Sequence, residues 1–365
     1  MSKLKIGVVG AGLIAQLEHI PNILKLSEQY QLVGVADPSA QARAHFTAKG
    51  IATFENYQQL LEQQLDAILI ASPDCYHAEI AHAALSRGVH VFSEKPLCYS
   101  VAEAKELAQA RDRAGKVVQV GYMKRFDPNY EQLLSMLPAD GKGLRLISVE
   151  VQDPDAWPFN QHQGPLVFAS DVPQALIDES RQRRDQQVAQ ASGQALSGTN
   201  LRGFAGAYCS SLVHDINAVH GLLDKMNLKT GAVTGAAFFA GGDGGQGAVR
   251  LAGTEALWQM SFIAVPQVAD YRERITLYFD DAVYQLDFPS PYLNHFPTRL
   301  TVSRSENNLW TSTEYRAGYE EAFVRELQSF WASVSQGAAN RNSIEGAAQD
   351  MQLIAELTSH ALKVS

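Results

Sequence analysis

The chain has 365 residues, of which 46% are hydrophobic and 19% are charged, and its formal net charge at pH 7 is −9. This length and composition predict two globular domains, each large enough to bury an apolar core. The acidic balance argues against a nucleic-acid-binding surface, and the three dispersed cysteines fit neither a disulfide framework nor a metal knuckle. No apolar run reaches the roughly 18 residues of a membrane span, so we expect a cytoplasmic protein that does not enter a membrane.

Strand-like and helix-like segments alternate through the first third of the sequence. The strand-like runs are Leu4–Val9, Leu32–Ala36, Ala67–Ala71, Val89–Ser93 and Val117–Val120. The helical patterns between them are Ile14–Leu26, Ala40–Ala48, Tyr57–Glu62, Tyr76–Arg87 and Val101–Ala114. Nearly continuous apolar strands that alternate with helices are typical of a parallel sheet covered on both faces.

The pattern changes after residue 125. Helices are predicted at Phe126–Met136, Gln174–Ala191, Ser210–Leu223, Gly318–Gln336 and Ser343–Lys363. A strand is predicted at Leu144–Gln152, a series of alternating strands at Lys229–Leu300, and a flexible hairpin tip or loop at Gly241–Gly247. The predicted fold is therefore α/β: an N-terminal Rossmann domain with a parallel sheet (residues 1–125) and a C-terminal α/β domain (residues 126–365). The second domain has a large, mostly antiparallel sheet with helices on one face, and the C-terminal helices can pack back on the first domain.

A glycine-rich turn follows the first strand. The sequence Gly10-Ala11-Gly12-Leu13-Ile14-Ala15 matches the G-x-G-x-x-G/A fingerprint. Gly10 permits the tight turn, Gly12 lets the backbone approach a pyrophosphate, and Ala15 allows close packing of helix and strand. Leu13 and Ile14 open a helix whose N-terminal N–H groups favour phosphate. A turn that serves packing alone is the alternative, but the strand, turn and helix occur in the order that a dinucleotide site requires.

Asp37 ends the second strand-like run, 22 residues after Ala15. A carboxylate at this place can accept hydrogen bonds from the ribose hydroxyls of NAD and repels the 2′-phosphate of NADP. No arginine occurs before Arg43. The sequence therefore favours NAD over NADP as the cofactor.

Three further motifs follow the later strands of the first domain. They are Ala71-Ser72-Pro73-Asp74-Cys75-Tyr76-His77, Ser93-Glu94-Lys95-Pro96-Leu97 and Gly121-Tyr122-Met123-Lys124-Arg125-Phe126-Asp127-Pro128. Together with the fingerprint and the segment Tyr319–Leu327, they resemble the glucose–fructose oxidoreductase/inositol dehydrogenase/rhizopine catabolism (Gfo/Idh/MocA) family. The resemblance extends over nearly the whole chain.

The resemblance implies roles for the side chains of these motifs. Ser72, Pro73, His77 and Glu94 would line the nicotinamide and its ribose, Lys95 would lie beside both nicotinamide and substrate, and Tyr122 and Arg125 would sit at the boundary of cofactor and substrate. Pro96 would fix the turn, often through a cis peptide bond. The chemistry of Lys95 can be argued independently, since an ammonium group beside a carbinol oxygen stabilises the alkoxide that grows as hydride leaves.

The segment from Cys209 to His220 resembles the family's catalytic helix, on which an Asp and a His are commonly four residues apart. His214 matches the His and suits general acid/base work, whereas Ser210 occupies the Asp position. The i, i+4 spacing places both side chains on one face, where they are candidates to bind substrate. The His then needs another orienting group, such as Asp215, or the substrate differs from the inositol type; a hydrogen-bonded core histidine is the alternative. The sequence shows no metal-ligand spacing.

A long connection joins the strand that ends near residue 152 to His214, and such insertions are often lids or binding loops. Asp153, Asp155 and Trp157 follow that strand directly. An indole face with neighbouring carboxylates could hold a sugar ring and its hydroxyls. An oligomer contact or simple surface packing is the alternative.

We therefore expect an NAD-dependent dehydrogenase that oxidises a secondary hydroxyl of a sugar, polyol or glycoside to a ketone. Three alternatives stay open: a keto-sugar reductase, a redox-neutral NAD-dependent glycosidase and a non-enzymatic NAD-sensing protein. The resemblance also implies a homodimer or homotetramer formed through the open face of the second sheet.

Overall fold

A computed structural model of the chain describes residues 3–363, and these form two compact units. Unit 1 contains the residues up to Tyr122 together with Gln163–Ala195 and Phe323–Met351, and unit 2 contains Met123–His162, Leu196–Ala322 and the residues from Gln352 onward. Two later segments thus fold with the N-terminal part of the chain. The division into a cofactor domain and a substrate domain stays a prediction.

Unit 1 is built on a six-stranded parallel sheet with the strand order β3-β2-β1-β4-β5-β6. Its strands are β1 (Leu4–Val9), β2 (Tyr30–Ala36), β3 (Thr53–Phe54), β4 (Ala67–Ile70), β5 (His90–Ser93) and β6 (Val118–Val120). All four residues of β4 are buried, as expected for a central strand that helices cover on both faces.

The helices of unit 1 connect these strands or cover them. They are a π-helical segment (Ala15–His19), α1 (Ile20–Lys25), α2 (Ala40–Thr47), α3 (Tyr57–Leu61), a 3₁₀ turn (Asp74–Tyr76), α4 (His77–Ser86) and α5 (Val101–Ala114). Helix α5 begins where the Ser100 side chain accepts a hydrogen bond from the backbone N–H of Glu103, and it ends at Gly115 in the left-handed conformation.

The core of unit 1 includes side chains from the later part of the chain. Leu327 and Phe330 are fully buried in the cluster that contains Ile6 and Leu69 of β1 and β4. Burying a side chain of this size contributes roughly 1.5–3 kcal/mol to the stability of the unit. The Tyr30 hydroxyl donates a hydrogen bond to the carbonyl of Leu327 at 2.6 Å, which fixes the position of the later helix.

Unit 2 is built on an eight-stranded sheet with the order β14-β13-β12-β11-β7-β10-β9-β8, in which only β7 and β10 pair in parallel. Its strands are β7 (Leu144–Asp153), β8 (Thr230–Phe239), β9 (Gly244–Leu251), β10 (Leu257–Ala264), β11 (Arg272–Phe279), β12 (Ala282–Phe288), β13 (Arg299–Glu306) and β14 (Leu309–Arg316). Buried residues alternate with more exposed ones along β12, as in a sheet with one face against the core. The predicted fold class is confirmed.

The remaining helices divide between the units. Unit 1 contains α8 (Gln174–Ser192) and nearly all of α11 (Ala322–Gln336), and α12 (Ile344–Ala361) contributes residues 344–351 to unit 1 and 352–361 to unit 2. Unit 2 contains a 3₁₀ turn (Met123–Phe126), α6 (Pro128–Met136), α7 (Trp157–Asn160), α9 (Gly198–Arg202), a π-helical segment (Gly203–Leu212) and α10 (Val213–Lys225). The Tyr208 hydroxyl donates to the carbonyl of Gln246 on β9, so the π-helical segment lies against the sheet.

Two sequence expectations for unit 2 were wrong in detail. Gly244 to Gly247 form part of β9 rather than a flexible tip, and a Cβ atom on Gly247 would lie 2.6 Å from Leu357, so the glycine permits close packing. The series of strands also continues past Leu300 through a hairpin whose turn residues, Asn307 and Asn308, both have positive φ. This backbone matches the tight hairpin turns that Asn favours.

Candidate active site

The cofactor residues predicted in unit 1 follow the carboxyl ends of its parallel strands. Gly10 comes directly after β1, Asp37 after β2, and Glu94 and Lys95 after β5, while Ser72 stands two residues beyond β4. The carboxyl ends of parallel strands meet at the same edge of a sheet, and open α/β sheets bind ligands there. The topology therefore brings these residues to one edge.

The two glycines of the turn differ in the space around them: Gly10 is tightly enclosed by neighbouring backbone, whereas Gly12 faces open space. Gly10 has a φ of +93°, and a Cβ atom on it would lie 2.3 Å from the carbonyl oxygen of Ala71, so only glycine fits. A Cβ atom on Gly12 would meet no atom of the described residues within 4 Å. Packing therefore does not require glycine at this position, whereas close approach of a pyrophosphate would. Leu13 and Ile14 then begin the helical segment.

Asp37 is held at the end of β2 by two backbone donors. One of its carboxylate oxygens accepts from the N–H of Ala11 at 2.8 Å, and the other accepts from the N–H of Ser39 at 2.8 Å. Asp37 thus joins the glycine turn to the start of α2. The open backbone at Gly12 and this carboxylate are the features of a dinucleotide site, so the residues present fit a nicotinamide dinucleotide.

His77 holds together two of the predicted cofactor loops. It is buried, with Nε2 2.9 Å from the carbonyl oxygen of Ser72 and Nδ1 2.8 Å from that of Pro96. The peptide bond between Lys95 and Pro96 is cis, as expected from the family resemblance. His77 therefore positions the loops that carry Ser72, Pro73 and Lys95, and its direct contact with a cofactor stays a prediction.

Glu94 is buried, and its carboxylate is paired with His19, a residue that the sequence did not single out. The two side chains approach to 2.7 Å, and the second carboxylate oxygen accepts from the backbone N–H of Lys95 at 3.2 Å. Burial by itself would raise the pKa of Glu94, but the hydrogen bond and charge of His19 and the charge of Lys95 lower this pKa. A carboxylate is thereby maintained directly before Lys95.

Lys95 and Tyr122 differ in accessibility within unit 1. Lys95 is only partly buried, whereas Glu94 before it and Pro96 after it are buried. Tyr122 is fully buried, and its backbone carbonyl accepts a hydrogen bond from the Asn342 side chain at 2.9 Å. Tyr122 is thus part of the packed core beside β6, and its role toward cofactor and substrate stays a prediction.

A second buried acid, Glu326 of α11, lies near Glu94. Within the described residues, neither carboxylate oxygen of Glu326 has a hydrogen-bond partner. Burial, and then the charges of Glu94 and Glu18, raise the pKa of Glu326 well above its ordinary range. The protonated form of Glu326 is therefore favoured beside a charged Glu94.

In unit 2, Ser210 and His214 lie on consecutive helical segments that present them outward. Ser210 belongs to the π-helical segment and is exposed, and His214 is the second residue of α10 and is partly exposed. The π-helical segment follows α9 directly, so helical structure begins at Gly198, earlier than expected, and the π geometry was not predicted. π-Helical turns are rare and frequently occur at functional sites.

Asp215, considered above as an orienting group for His214, belongs to a buried cluster around Lys124. The Lys124 ammonium pairs with Glu273 at 2.5 Å, and the Tyr271 hydroxyl donates to the same carboxylate at 2.8 Å. Burial and the neighbouring Glu273 raise the pKa of Asp215 well above its ordinary value. Since adjacent helical residues point in different directions, Asp215 faces this cluster and not the side that carries His214.

Arg125, predicted at the boundary of cofactor and substrate, packs against α10 in unit 2. Its guanidinium lies 3.5 Å from Asp224, and a Cβ atom on Gly221 would come within 2.4 Å of it. Gly221 thus makes room for the arginine. A substrate-binding role for Arg125 stays a prediction.

Asp153 and Trp157 follow β7 as expected. Asp153 accepts a hydrogen bond from the backbone N–H of Asp155 at 2.7 Å, and burial raises the pKa of Asp153. Trp157 is 43% exposed, and its indole N–H donates to the carbonyl of Pro266 at 2.9 Å. An exposed indole anchored at one edge can stack on a sugar ring, and this use of Trp157 stays a prediction.

Residues 3–363 lack the features of two other classes of site. No group of three or more His, Cys, Asp or Glu side chains in this range could hold a metal ion. No helix in the same range is long and apolar enough to cross a bilayer.

Comparison with known proteins identifies the N-terminal part of the chain. Residues 4–122 match the sequence profile described as oxidoreductase family, NAD-binding Rossmann fold. The chain is 32% identical over 134 residues to the rhizopine catabolism protein MocA of Rhizobium meliloti, covering 36% of this chain and 42% of the relative. It is 31% identical over 191 residues to inositol 2-dehydrogenase 3 of Saccharopolyspora erythraea, covering 51% and 55%. The matched part thus spans about half the length of these curated relatives.

The fold is shared over a greater length than the sequence. The solved structure of KijD10, a 3-ketoreductase from Actinomadura kijaniata in complex with NADP and TDP-benzene, superposes with a TM-score of 0.72 at 18% identity and covers 98% of each chain. The profile match, the curated relatives and the shared architecture agree with one another. The match of residues 4–122 and these partial relatives support the resemblance to the Gfo/Idh/MocA family of oxidoreductases in the N-terminal part of the chain.

Proposed function

We propose that the protein is an NAD-dependent dehydrogenase that oxidises a secondary hydroxyl of a sugar, polyol or glycoside to a ketone. The observation that carries this proposal is the edge of the parallel sheet in unit 1, where an open glycine backbone, Asp37 and Lys95 follow neighbouring strands. The curated relatives include an inositol 2-dehydrogenase, which supports a polyol or sugar as the substrate class.

The cofactor is proposed to bind along this edge. The backbone at Gly10 and Gly12, with Leu13 and Ile14, would hold the pyrophosphate, and Asp37 would accept hydrogen bonds from the adenosine ribose. Ser72, Pro73, His77, Glu94 and Tyr122 would surround the nicotinamide ribose. When bound, the nicotinamide would accept the hydride that leaves the carbinol carbon.

Lys95 is proposed to contact the reacting hydroxyl. Its ammonium group would donate a hydrogen bond to the carbinol oxygen and stabilise the negative charge that grows there as the proton leaves. The buried Glu94 and the His77 contact to Pro96 would hold the backbone on either side of Lys95. This arrangement would keep the ammonium group in place without a flexible loop.

His214 is proposed to exchange the hydroxyl proton. An imidazole is suited to this step near neutral pH, because it can both accept and release a proton there. Ser210 replaces the carboxylate that the family commonly carries, so the imidazole would be oriented by a different partner or by the substrate. Arg125, Asp153 and Trp157 are proposed to bind the remaining hydroxyls and the ring of the substrate.

The test is nicotinamide absorbance during incubation with NAD or NADP and a panel of cyclitols, free sugars, glycosides and sugar phosphates. We expect reduction of NAD with one class of substrate, and loss of about 10²–10³-fold in kcat/KM in Lys95→Met without loss of NAD binding. Lys105→Met, an exposed lysine of unit 1, is the matched control and should keep full activity. Unchanged turnover in Lys95→Met would contradict the proposed mechanism.

A keto-sugar reductase is the second candidate, because a neighbour of the same fold is a 3-ketoreductase seen with NADP. Oxidation of NADPH or NADH by keto-sugars, with no reaction of the corresponding alcohols and NAD, would favour this direction. Retention of bound NAD with turnover of a glycoside and no net reduction would instead indicate a redox-neutral glycosidase.

We also propose a cytoplasmic homodimer or homotetramer. Strand β14 is exposed along its whole length and includes Leu309 and Trp310, which are 69% and 73% exposed. Exposed apolar side chains of this size are typical of surfaces that another chain covers. Sedimentation equilibrium measures the assembly, and a monomer at micromolar concentration would contradict this proposal.

A further inference from the structure

The insertion between β7 and the π-helical segment is attached to the glycine turn of unit 1. The side-chain amide of Gln16 donates to the carbonyls of Ala11 and Val167, and its oxygen accepts from the backbone N–H of Val167. These three hydrogen bonds are 2.8–2.9 Å long. The insertion therefore forms part of the dinucleotide-binding edge, although it lies far away in the sequence.

Four residues further along, the insertion places a carboxylate at the start of α2. One oxygen of Asp171 accepts from the Ser39 hydroxyl at 2.5 Å, and the other accepts from the backbone N–H of Gln41 at 3.0 Å. These hydrogen bonds lower the pKa of Asp171, with the bond from Ser39 as the largest cause, so the carboxylate is charged near neutral pH. Asp37 already accepts from the backbone N–H of Ser39. The carboxylates of Asp37 and Asp171 thus accept hydrogen bonds from the N–H and hydroxyl of Ser39 and from the N–H of Gln41, all within residues 37–41.

This stretch is where the two nicotinamide dinucleotides differ. The acid at the end of the second strand of a dinucleotide-binding fold faces the 2′-hydroxyl of the adenosine ribose, and NADP carries a phosphate at that position. A 2′-phosphate needs free N–H or hydroxyl donors and a cation beside it. Here Asp171 already uses the hydroxyl of Ser39 and the N–H of Gln41.

The nearest cation is also engaged. One terminal nitrogen of Arg43 donates to the carbonyls of Asp37 and Pro38 at 2.7 and 2.9 Å, and the other lies 3.7 Å from Glu55. The guanidinium therefore holds the backbone of the turn, and its charge is partly balanced by a neighbouring acid. A phosphate at this place would therefore meet two carboxylates. Within the described residues, the contacts of Arg43 already engage the guanidinium that could otherwise bind it.

We infer that Asp171, supplied by the insertion, is a specificity-determining residue that occupies the place of a 2′-phosphate and makes the site reject NADP in favour of NAD. This inference depends on the proposed function in one respect, that the edge binds a nicotinamide dinucleotide. It goes further by giving the insertion a role in the choice of cofactor. Asp37 alone would discriminate less, because one carboxylate repels a 2′-phosphate less strongly than two carboxylates do.

The experiment measures dissociation constants of NAD and NADP by titration calorimetry, so that no substrate is needed. We expect the wild type to bind NAD more tightly, and Asp171→Asn to reduce the ratio of the two constants about tenfold, mainly by tightening NADP. Asp171→Glu keeps the charge and should keep the preference. Asp178→Asn removes an exposed carboxylate from the same insertion and is the matched control, for which we expect no change.

Repeating the titrations at high salt concentration distinguishes an effect of the Asp171 charge from an effect on packing. The effect of Asp171→Asn should shrink at high ionic strength, because exposed charges are screened. An unchanged ratio in Asp171→Asn, an equal change in Asp178→Asn, or a wild type that prefers NADP would overturn the inference. A wild type that binds neither dinucleotide would instead overturn the proposed function.

Discussion

Each unit of the molecule buries a cluster of ionisable side chains, and the two clusters balance their charges in different ways. In unit 1, Glu94 pairs with His19, while Glu326 lies nearby with a pKa raised by burial and by the other acids. In unit 2, Lys124 forms a direct ion pair with Glu273. The charged acid is thus paired with an imidazole in the first cluster and with an ammonium group in the second, while each cluster also holds a second acid whose pKa is raised by burial.

The difference matters because buried charge is expensive unless it is paired. The cluster in unit 2 also includes Asp215, whose carboxyl is fully buried, and one ammonium group cannot neutralise two carboxylates. Burial and Glu273 accordingly raise the pKa of Asp215. The cluster in unit 1 lies directly before Lys95, whereas the cluster in unit 2 lies directly after His214. Each proposed catalytic residue is therefore adjacent in sequence to a member of a buried polar cluster.

Removing the cation of unit 2 should have the largest effect on stability. Lys124→Met leaves Glu273 and Asp215 buried without a positive charge, and breaking a buried pair in this way costs about 3–5 kcal/mol at pH 7. The loss should decrease toward pH 5, because the stranded carboxyls can then take up protons. Urea denaturation at the two pH values measures it, with Lys105→Met as the control. A loss below about 1 kcal/mol, or one independent of pH, would show that the ion pair does not stabilise unit 2.

Removing the carboxylate of Glu94 in unit 1 should lower the stability of the fold by a smaller amount. The pKa of Glu94 is lowered in the folded protein, so its ionised form stabilises the fold above the unfolded-state pKa, and this stability is lost as the pH falls through the folded-state pKa. Glu94→Gln should therefore cost about 1.5–3 kcal/mol at pH 7, the value of a hydrogen bond to a charged group, and less at pH 4.

The matched control for this variant is Glu106→Gln, which alters an exposed acid of the same unit. Thermal or urea unfolding of both variants across pH 4 to pH 7 provides the comparison. An equal cost at both ends of the range would mean that Glu94 acts through packing and not through its charge.

The cluster of unit 1 could be predicted only in part from sequence, and the cluster of unit 2 could not. Glu94 and Lys95 were found because they stand in a short motif directly after a strand. His19 stands one turn beyond the fingerprint, and its position next to Phe92 at the core became visible only in the structure. Lys124 and Glu273 are far apart in sequence, and nothing in their local patterns indicates that they pair. The pairing depends on strand β11, whose position beside β7 is a property of the assembled sheet.

The elements were predictable where local chemistry defines their ends. Helix α5 was predicted at Val101–Ala114 and has those bounds, because Ser100 caps its start and Gly115 ends it. Only the last residues of the π-helical segment, from Ser210, were predicted, as part of an ordinary helix, since a wider turn leaves no distinct signature in the spacing of apolar residues. Strand β14 was missed because its residues are all exposed and lack the apolar alternation of a half-buried strand.

Replacing Glu326, the second buried acid of unit 1, by an uncharged side chain should change the stability least, and should raise it instead of lowering it. The pKa of Glu326 is raised in the folded state by burial, Glu94 and Glu18, so its contribution to stability is fully present below the unfolded-state pKa and is lost as the pH rises. Glu326→Gln keeps the shape of the protonated acid and cannot ionise. It should therefore be more stable than the wild type by about 1 kcal/mol at pH 8 and closer to it at pH 5. Urea denaturation at both pH values measures the difference, with Glu106→Gln as the control. A variant that is less stable than the wild type at pH 8 would mean that Glu326 is ionised and paired, in contrast to Asp215, whose pKa is raised in unit 2.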